Sequence, residues 1–250
     1  MTQRPKRFPQ KSFPWGLVIA SGIAFAILIA LGTWQVERLN WKEALIASTK
    51  ERVHEPPLPL AAMEAAYHKD GTVEYRPVTV SGTFMHSGER HFLATYESAA
   101  GYNVYTPLML EDGRFVLINR GFVPYDKKDP ASRMDGQLDG PVTITGLARD
   151  PLTQKPGFFL PDNDEAKNVF YWKDWQAMAE SANVPDIDAA VPFFIDADSK
   201  SNPGGLPIGD VTIIDFPNNH LQYAVTWYGL ALALAGVVAT WLWRYRRGRG

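Results

Sequence analysis

The chain has no cysteine among its 250 residues, which excludes disulfides, thiol redox chemistry and thiolate metal sites. Short catalytic motifs are missing too. No GxSxG elbow, HExxH helix, GxxxxGK[ST] phosphate cradle or GxGxxG turn occurs, so the usual sequence marks of esterases, metalloproteases and nucleotide enzymes are absent. Carboxylates are plentiful, as in DNDEAK (162–167) and DADSK (196–200), but they stand among loop residues and read as solvated faces rather than acid–base pairs. Histidine is scarce, at five residues. Charge is missing altogether from two long stretches, and these organise the rest of the chain.

The stretches are WGLVIASGIAFAILIALGTW (15–34) and LQYAVTWYGLALALAGVVATWLW (221–243). At ~1.5 Å rise per residue, each is long enough to cross a hydrocarbon core of roughly 30 Å as a helix. The first also admits reading as a secretory signal. Against that, its apolar run exceeds the usual ~7–15 residues and ends in GTWQVER without a small-x-small cleavage site, so an uncleaved anchor is favoured. Arg4, Lys6, Arg7 and Lys11 precede the first span, and Arg244, Arg246, Arg247 and Arg249 follow the second. The positive-inside rule then puts both termini in the cytoplasm. Trp15, Trp34, Trp241 and Trp243 fall where interfacial aromatic belts are expected.

The expected organisation is a cytoplasmic N-terminus (1–14), a first span (15–35), an outer β-rich domain (36–217), a second span (218–243) and a basic tail (244–250). With the eight flanking basic residues set aside, 17 Lys plus Arg face all 27 Asp plus Glu, a formal charge of −10 outside the membrane. That charge argues against nucleic acid as a partner, because no basic excess is there to neutralise phosphates. Membrane lipid is the partner that the spans imply.

The first helix is expected to continue through QVERLNWKEALIASTKER until HEPPLP stops it. LAAMEAAYH (60–68) and DWQAMAESANV (174–184), the latter ended by Pro185, read as short helices. YRPVTVSGTF, HSGE and RHFLATY suggest one hairpin, and NVYTPLML, EDG and RFVLINRGFVP suggest another. PVTITGLA, PFFIDAD and VTIID add strands. The fold class is a membrane protein with two transmembrane helices flanking an antiparallel β-rich domain, barrel or sandwich-like.

His54, His68, His86 and His91 have no acidic or third imidazole partner fixed by spacing and read as surface residues. His220 differs, because Tyr223, Ala224, Trp227 and Ala231 fall within about 60° of it on a helical wheel. That face offers an imidazole with aromatic walls, and Trp227 lies ~10 Å below His220 along the axis, close to the width of a porphyrin. Asn218 or Asn219 can cap the helix, whose positive end disfavours imidazolium. The competing reading is an interfacial histidine bonded to water and headgroups. Trp34, Arg38 and Trp41 share a face at the end of the first span, with Lys42 one turn beyond Arg38. Arg38 and Lys42 can clamp carboxylates of a ligand or simply snorkel outward. Gly22, Ala26 and Ala30 facing Ala231, Ala235 and Ala239 would let the spans pack closely.

LGTWQVERLNWK (31–42), FVLINRGFVP (115–124) and NNHLQYAVTWYGLA (218–231), in this order, resemble signature segments of the Surfeit locus protein 1 family. Members of that family are assembly factors for haem-copper cytochrome c oxidase. The likeness covers the whole two-span architecture and departs at Phe122, where the family more often has tryptophan. It implies a protein that binds haem a and helps deliver it to the oxidase's catalytic subunit, with His220 as the metal ligand and haem a synthase as a further candidate partner. Tyr223 and Trp227 would then wall the macrocycle, and Arg38, beside Trp34, or Lys42 would meet its propionates. Asn119, Arg120 and Gly121 match the middle motif with no defined role, either as a strand-end turn with an ion pair or as a contact to the oxidase. The short N-terminus has no Arg/Ser-rich transit peptide, which favours a bacterial inner membrane, although a processed mitochondrial chain would look the same. The alternative function is a cofactor-free scaffold that holds the immature oxidase subunit; an enzyme acting on haem or lipid comes third, because no residue suggests itself as a base.

Overall fold

A computed structural model describes residues 13–184, 186–198, 202–212, 216 and 218–247. Arg4, Lys6, Arg7, Lys11, Pro185, Arg249 and the last three residues of VTIID lie outside the described residues. The chain forms two compact units, one from residues 1–47 and 215–250 and one from residues 48–214.

Two helices make the first unit. α1 (Trp15–Val53) runs unbroken from the apolar stretch into the charged one, as its lack of internal proline requires, and gives way before Pro56 and Pro57. The second long helix comes last in the chain, at His220–Arg247. Both are candidate membrane spans by length and composition.

The second unit is a barrel. β1 (Leu58–Pro59) leads into α2 (Leu60–Asp70), and then come β2 (Pro77–Phe84), β3 (Arg90–Tyr96), β4 (Ala99–Met109), β5 (Phe115–Pro124) and β6 (Pro141–Arg149). A short α3 (Trp175–Ser181) and β7 (Ala190–Ala197) complete it, and the terminal span is therefore α4. The sheet order is β1-β2-β6-β7-β5-β4-β3, and the ladder Thr83↔Met109 and Phe84↔Leu108 joins β2 to β4. Five strands thus close on themselves, which removes the open edges of a flat sheet. Alternation along each strand then sorts the side chains. Val78, Val80, Leu108, Val116, Ile118, Phe193 and Ile195 fill the interior, with Met63 of α2 packed among them. Tyr105, Phe115, Leu117 and Phe194 belong to a second cluster with Phe170 and with Met178 and Ala179 of α3.

Two features differ from the sequence expectation. β2 and β3 do not form a hairpin: β2 pairs along its length with β6, while β3 pairs with β4 and, through Phe92, with Phe170. The turn at His86–Gly88 is a single 3₁₀ turn, and β4 is long enough to take β3 on its first half and the end of β2 on its last two residues. β3 instead makes its hairpin with β4 through Glu97 and Ser98, both in the left-handed region at φ 46° and 71°. Such a turn usually carries Asn-Gly, so Glu-Ser concealed it. The sheet is also not wholly antiparallel, because β5 pairs with β7, and β1 with β2, in parallel. Val211 and Thr212 of VTIID are irregular rather than strand.

Candidate functional site

α4 opens on His220 itself. Asn219 is half inside the helix, its carbonyl accepting from the Tyr223 N–H at 3.2 Å, and Asn218 Oδ1 lies 3.5 Å from the His220 N–H, the outer limit of a hydrogen bond. The imidazole does not stand free in this frame. Its Nδ1 lies 2.7 Å from Oε1 of Gln35, a side chain of α1 that is 8% exposed. An amide oxygen can only accept, so Nδ1 donates this bond, and in the neutral tautomer that this selects the lone pair lies on Nε2. Gln35 stands inside LGTWQVERLNWK, one place after Trp34, yet its role is not visible there, since its partner lies 185 residues further on.

The seam between α1 and α4 explains why these two residues meet. Gly32 sits one turn before Gln35, and the Tyr228 ring lies so close that a Cβ at position 32 would stand 2.8 Å from it. Tyr228 Oη also pairs with Thr33 Oγ1 at 3.1 Å. Ala224 and Ala231 are buried on the facing side of α4. Of the six small residues expected to form this seam, only Ala231 is buried; Gly22, Ala26, Ala30, Ala235 and Ala239 are exposed. The reason is angular. Steps of four advance 400°, so a strict four-residue stripe drifts 40° per step off any straight contact line. Gly22, Ala235 and Ala239 border an apolar recess of about 350 Å³ between the helices instead.

Trp227 is half-buried on the His220 side of α4, while Tyr223 is 54% exposed. Trp34 and Arg38 are exposed on α1, one position round from the Gln35 face, and the Arg38 guanidinium stacks on Trp41 at 3.9 Å. Lys42 Nζ lies 5.5 Å above the Phe216 ring. The structure thus joins His220 to Gln35 and leaves Trp34, Arg38, Trp41 and Tyr223 as an exposed aromatic and cationic fringe.

A sequence model of the SURF1 family matches residues 22–232. The chain belongs to the SURF1 family. Surfeit locus protein 1 of Gallus gallus is 38% identical over 250 residues, covering 93% of this chain and 74% of that protein. The Homo sapiens protein of the same name is 38% identical over 253 residues, covering 94% and 78%. A SURF1-like protein of Caenorhabditis elegans is 28% identical over 263 residues, covering 95% and 77%.

The middle segment of this family member lies within β5, not at a strand end. Asn119 and Arg120 are each 2% exposed. Asn119 donates to Asp196 Oδ1 at 2.9 Å and accepts from the Gly121 N–H at 3.1 Å. Among the described residues Arg120 has no ion-pair partner; it donates to the Gly136 carbonyl and to Asn202 Oδ1 and lies 4.6 Å over the Phe84 ring. Burial lowers its guanidinium pKa to about 10. Residues 120 and 121 form a bulge opposite Val104, and Gly121 has φ 116°. A side chain at Gly121 would run into the Ile208 carbonyl, which accepts from the Phe122 N–H at 2.8 Å. These residues hold the barrel wall together.

Asp196, expected to be solvated, is 3% exposed. Burial alone would raise its pKa, but the Lys173 and Arg149 charges and hydrogen bonds from Asn119 and Thr212 outweigh this and hold it below the usual carboxylate range. His91, expected at the surface, is 3% exposed, with Nε2 2.9 Å from Glu89 Oε1, and Glu89 is also gripped by Arg133. His86 is half-buried, its Nε2 2.9 Å from the Leu138 carbonyl. His86 meets an acceptor 52 residues further on, which spacing does not reveal, whereas the acid beside His91 is only two residues back and is itself held by Arg133, 44 residues on. His54 and His68 are exposed.

Proposed function

We propose that this protein is an assembly factor for haem-copper cytochrome c oxidase that binds haem a at the outer membrane boundary and aids its insertion into the catalytic subunit. Family membership supports the assembly role, and the Gln35–His220 pair carries the haem reading. A histidine that ligates a metal almost always gives its other ring N–H to an acceptor, which fixes tautomer and orientation. Here Gln35 is that acceptor, and Nε2 is the nitrogen left for iron. The donor set fits the cargo: a porphyrin supplies four nitrogens itself and asks the protein for an axial ligand, so one anchored imidazole suffices. Bound haem a would contribute an iron with an axial position open to that imidazole.

The surrounding side chains have parts to play. Trp227 and the exposed rings of Tyr223 and Trp34 offer apolar walls, and Arg38, held against Trp41, is the cation nearest in sequence to meet carboxylates. Release needs only tighter binding by the catalytic subunit, with no bond made or broken by this protein. In this reading α1 and α4 cross the bacterial inner membrane or its mitochondrial counterpart, with Arg244, Arg246 and Arg247 inside and the barrel outside. Haem a synthase is the partner from which haem would be received.

The test is the absorption spectrum of full-length protein purified from cells that make haem a. Wild type is expected to carry haem, His220→Ala to carry little, and Gln35→Leu to carry roughly 10–100-fold less at a given haem supply. Equal haem in wild type and His220→Ala sinks the ligand assignment. A haem-free wild type that still supports oxidase assembly would favour a cofactor-free scaffold.

A further inference from the structure

The barrel carries an apolar tip that its own fold does nothing to cover. Phe158 and Phe159 are 93% and 96% exposed, with rings edge to face at 5.5 Å. They stand in the loop between β6 and α3, in the uncharged run PGFFLP (156–161), with Leu152 also exposed nearby. Isolated exposed apolar residues are ordinary, but two adjacent, almost fully exposed phenylalanines between prolines are not. Gly157 and the two prolines leave this stretch no helix or strand to join.

The position of the loop in the chain narrows what covers it. Asp150, where it begins, gives its N–H to Glu74 Oε2 at 2.7 Å, and Glu74 Oε1 accepts from Arg149. Arg52, at the end of α1, donates to the Glu74 carbonyl at 3.1 Å. On the other side, Arg149 pairs with Asp196 at 2.7 Å, and Asp196 accepts from Thr212, seven residues short of α4. One polar cluster therefore gathers both points at which the barrel's chain passes to the candidate membrane spans, and the aromatic loop leaves from the same cluster. Phe158 is eight residues further on.

We infer that Phe158 and Phe159 insert into the outer leaflet of the membrane that α1 and α4 cross, as a third attachment of the barrel to the lipid surface. Aromatic rings favour the headgroup boundary, and a convex tip needs no preformed pocket in a soft apolar medium. The anchored chain keeps the tip at high effective concentration beside that surface, so two rings suffice where a free protein would need more. The two charges that flank the uncharged run, Lys155 and Asp162, lie 2.6 Å apart and offset one another.

The absence of cysteine makes the test direct, because a nitroxide on Phe159→Cys is the only label on the full chain. In phosphatidylethanolamine–phosphatidylglycerol liposomes, the label is expected to collide several-fold more with oxygen than with a water-soluble nickel chelate. A label on exposed Asp126→Cys should show the reverse. Replacing Phe158 with Asp beside the Phe159→Cys label should return that label to the nickel-accessible state. Equal or greater collision with nickel at position 159 in liposomes overturns the inference. So does oxygen preference that survives Phe158→Asp, or protection that arises only when oxidase subunit is added, which would assign the tip to a protein partner.

Discussion

In the barrel, Glu89, Arg90, Arg120, Arg133 and Asp196 are all sealed from solvent, whereas among the described residues of 1–47 and 215–250, the helical unit, the only buried polar side chain is Gln35. The barrel's charges are held by one another and by backbone carbonyls, and their removal is expected to undo the fold. In the helical unit that buried amide faces His220 where two apolar helices touch, beside the exposed Thr33–Tyr228 hydrogen bond. Burying an amide there is unfavourable unless it has a partner, so the pair points to the imidazole it orients. The same chemistry thus builds a wall in one region and presents a ligand in the other.

The largest effect should come from breaking the wall at its tightest point. Gly121→Ala places a Cβ against the Ile208 carbonyl in a backbone conformation that alanine avoids. A loss above about 4 kcal/mol is expected, which is diagnostic for one methyl group. Urea unfolding of the full chain in detergent, followed by far-UV circular dichroism, measures it. A change under ~1 kcal/mol would show that the bulge in β5 relaxes freely.

The buried charges come next. Asp196 and Glu89 are both held below the usual carboxylate range, burial being outweighed in each case by nearby cations and hydrogen bonds. A folded-state pKa below the unfolded one contributes stability that is complete above about pH 4 and is lost as pH falls further. The barrel should therefore lose stability below about pH 4. Removing the carboxylate with Asp196→Ala should cost about 3–5 kcal/mol at neutral pH, since Arg149 is left with one of its two acids. An acid limb in the unfolding midpoint that is identical in wild type and Asp196→Ala would mean that Asp196 takes no part in it.

The two regions also differ in how much of them can be read from sequence. Each long apolar run without charge dictates a helix by itself, and Asp-Gly between two strand-like runs announced the β4–β5 hairpin. Local signals failed where a contact spans the chain. The closure of β2 on β4 depends on the crossing at Gly82 and Met109, and a turn of Glu97 and Ser98 carries no glycine to betray it. Asp196 looked solvated because its neighbours are polar, whereas its actual surroundings are Arg149, Asn119 and Thr212. His220 stood out because helical spacing arranged aromatics around it. Gln35 did not, because nothing within its own helix marks it as the partner of a residue at the other end of the sequence.

The smallest effect separates contact from function in the helical unit. Tyr228 touches the seam twice, through its ring over Gly32 and through its hydroxyl to Thr33. Tyr228→Phe keeps the ring and removes the hydrogen bond, which between membrane helices is worth only about 0.6 kcal/mol on average. Thr33 retains its bond to the Ile29 carbonyl at 3.0 Å, so no buried donor is stranded. If the seam merely holds the helices together, Tyr228→Phe and Gln35→Leu should alter haem content alike, since each deletes one interhelical hydrogen bond. If Gln35 orients the ligand, Tyr228→Phe should change haem content by less than about threefold, the factor that 0.6 kcal/mol allows, while Gln35→Leu depletes it. Equal losses in the two variants would return His220 and Gln35 to the packing role that the barrel's buried polar residues already fill.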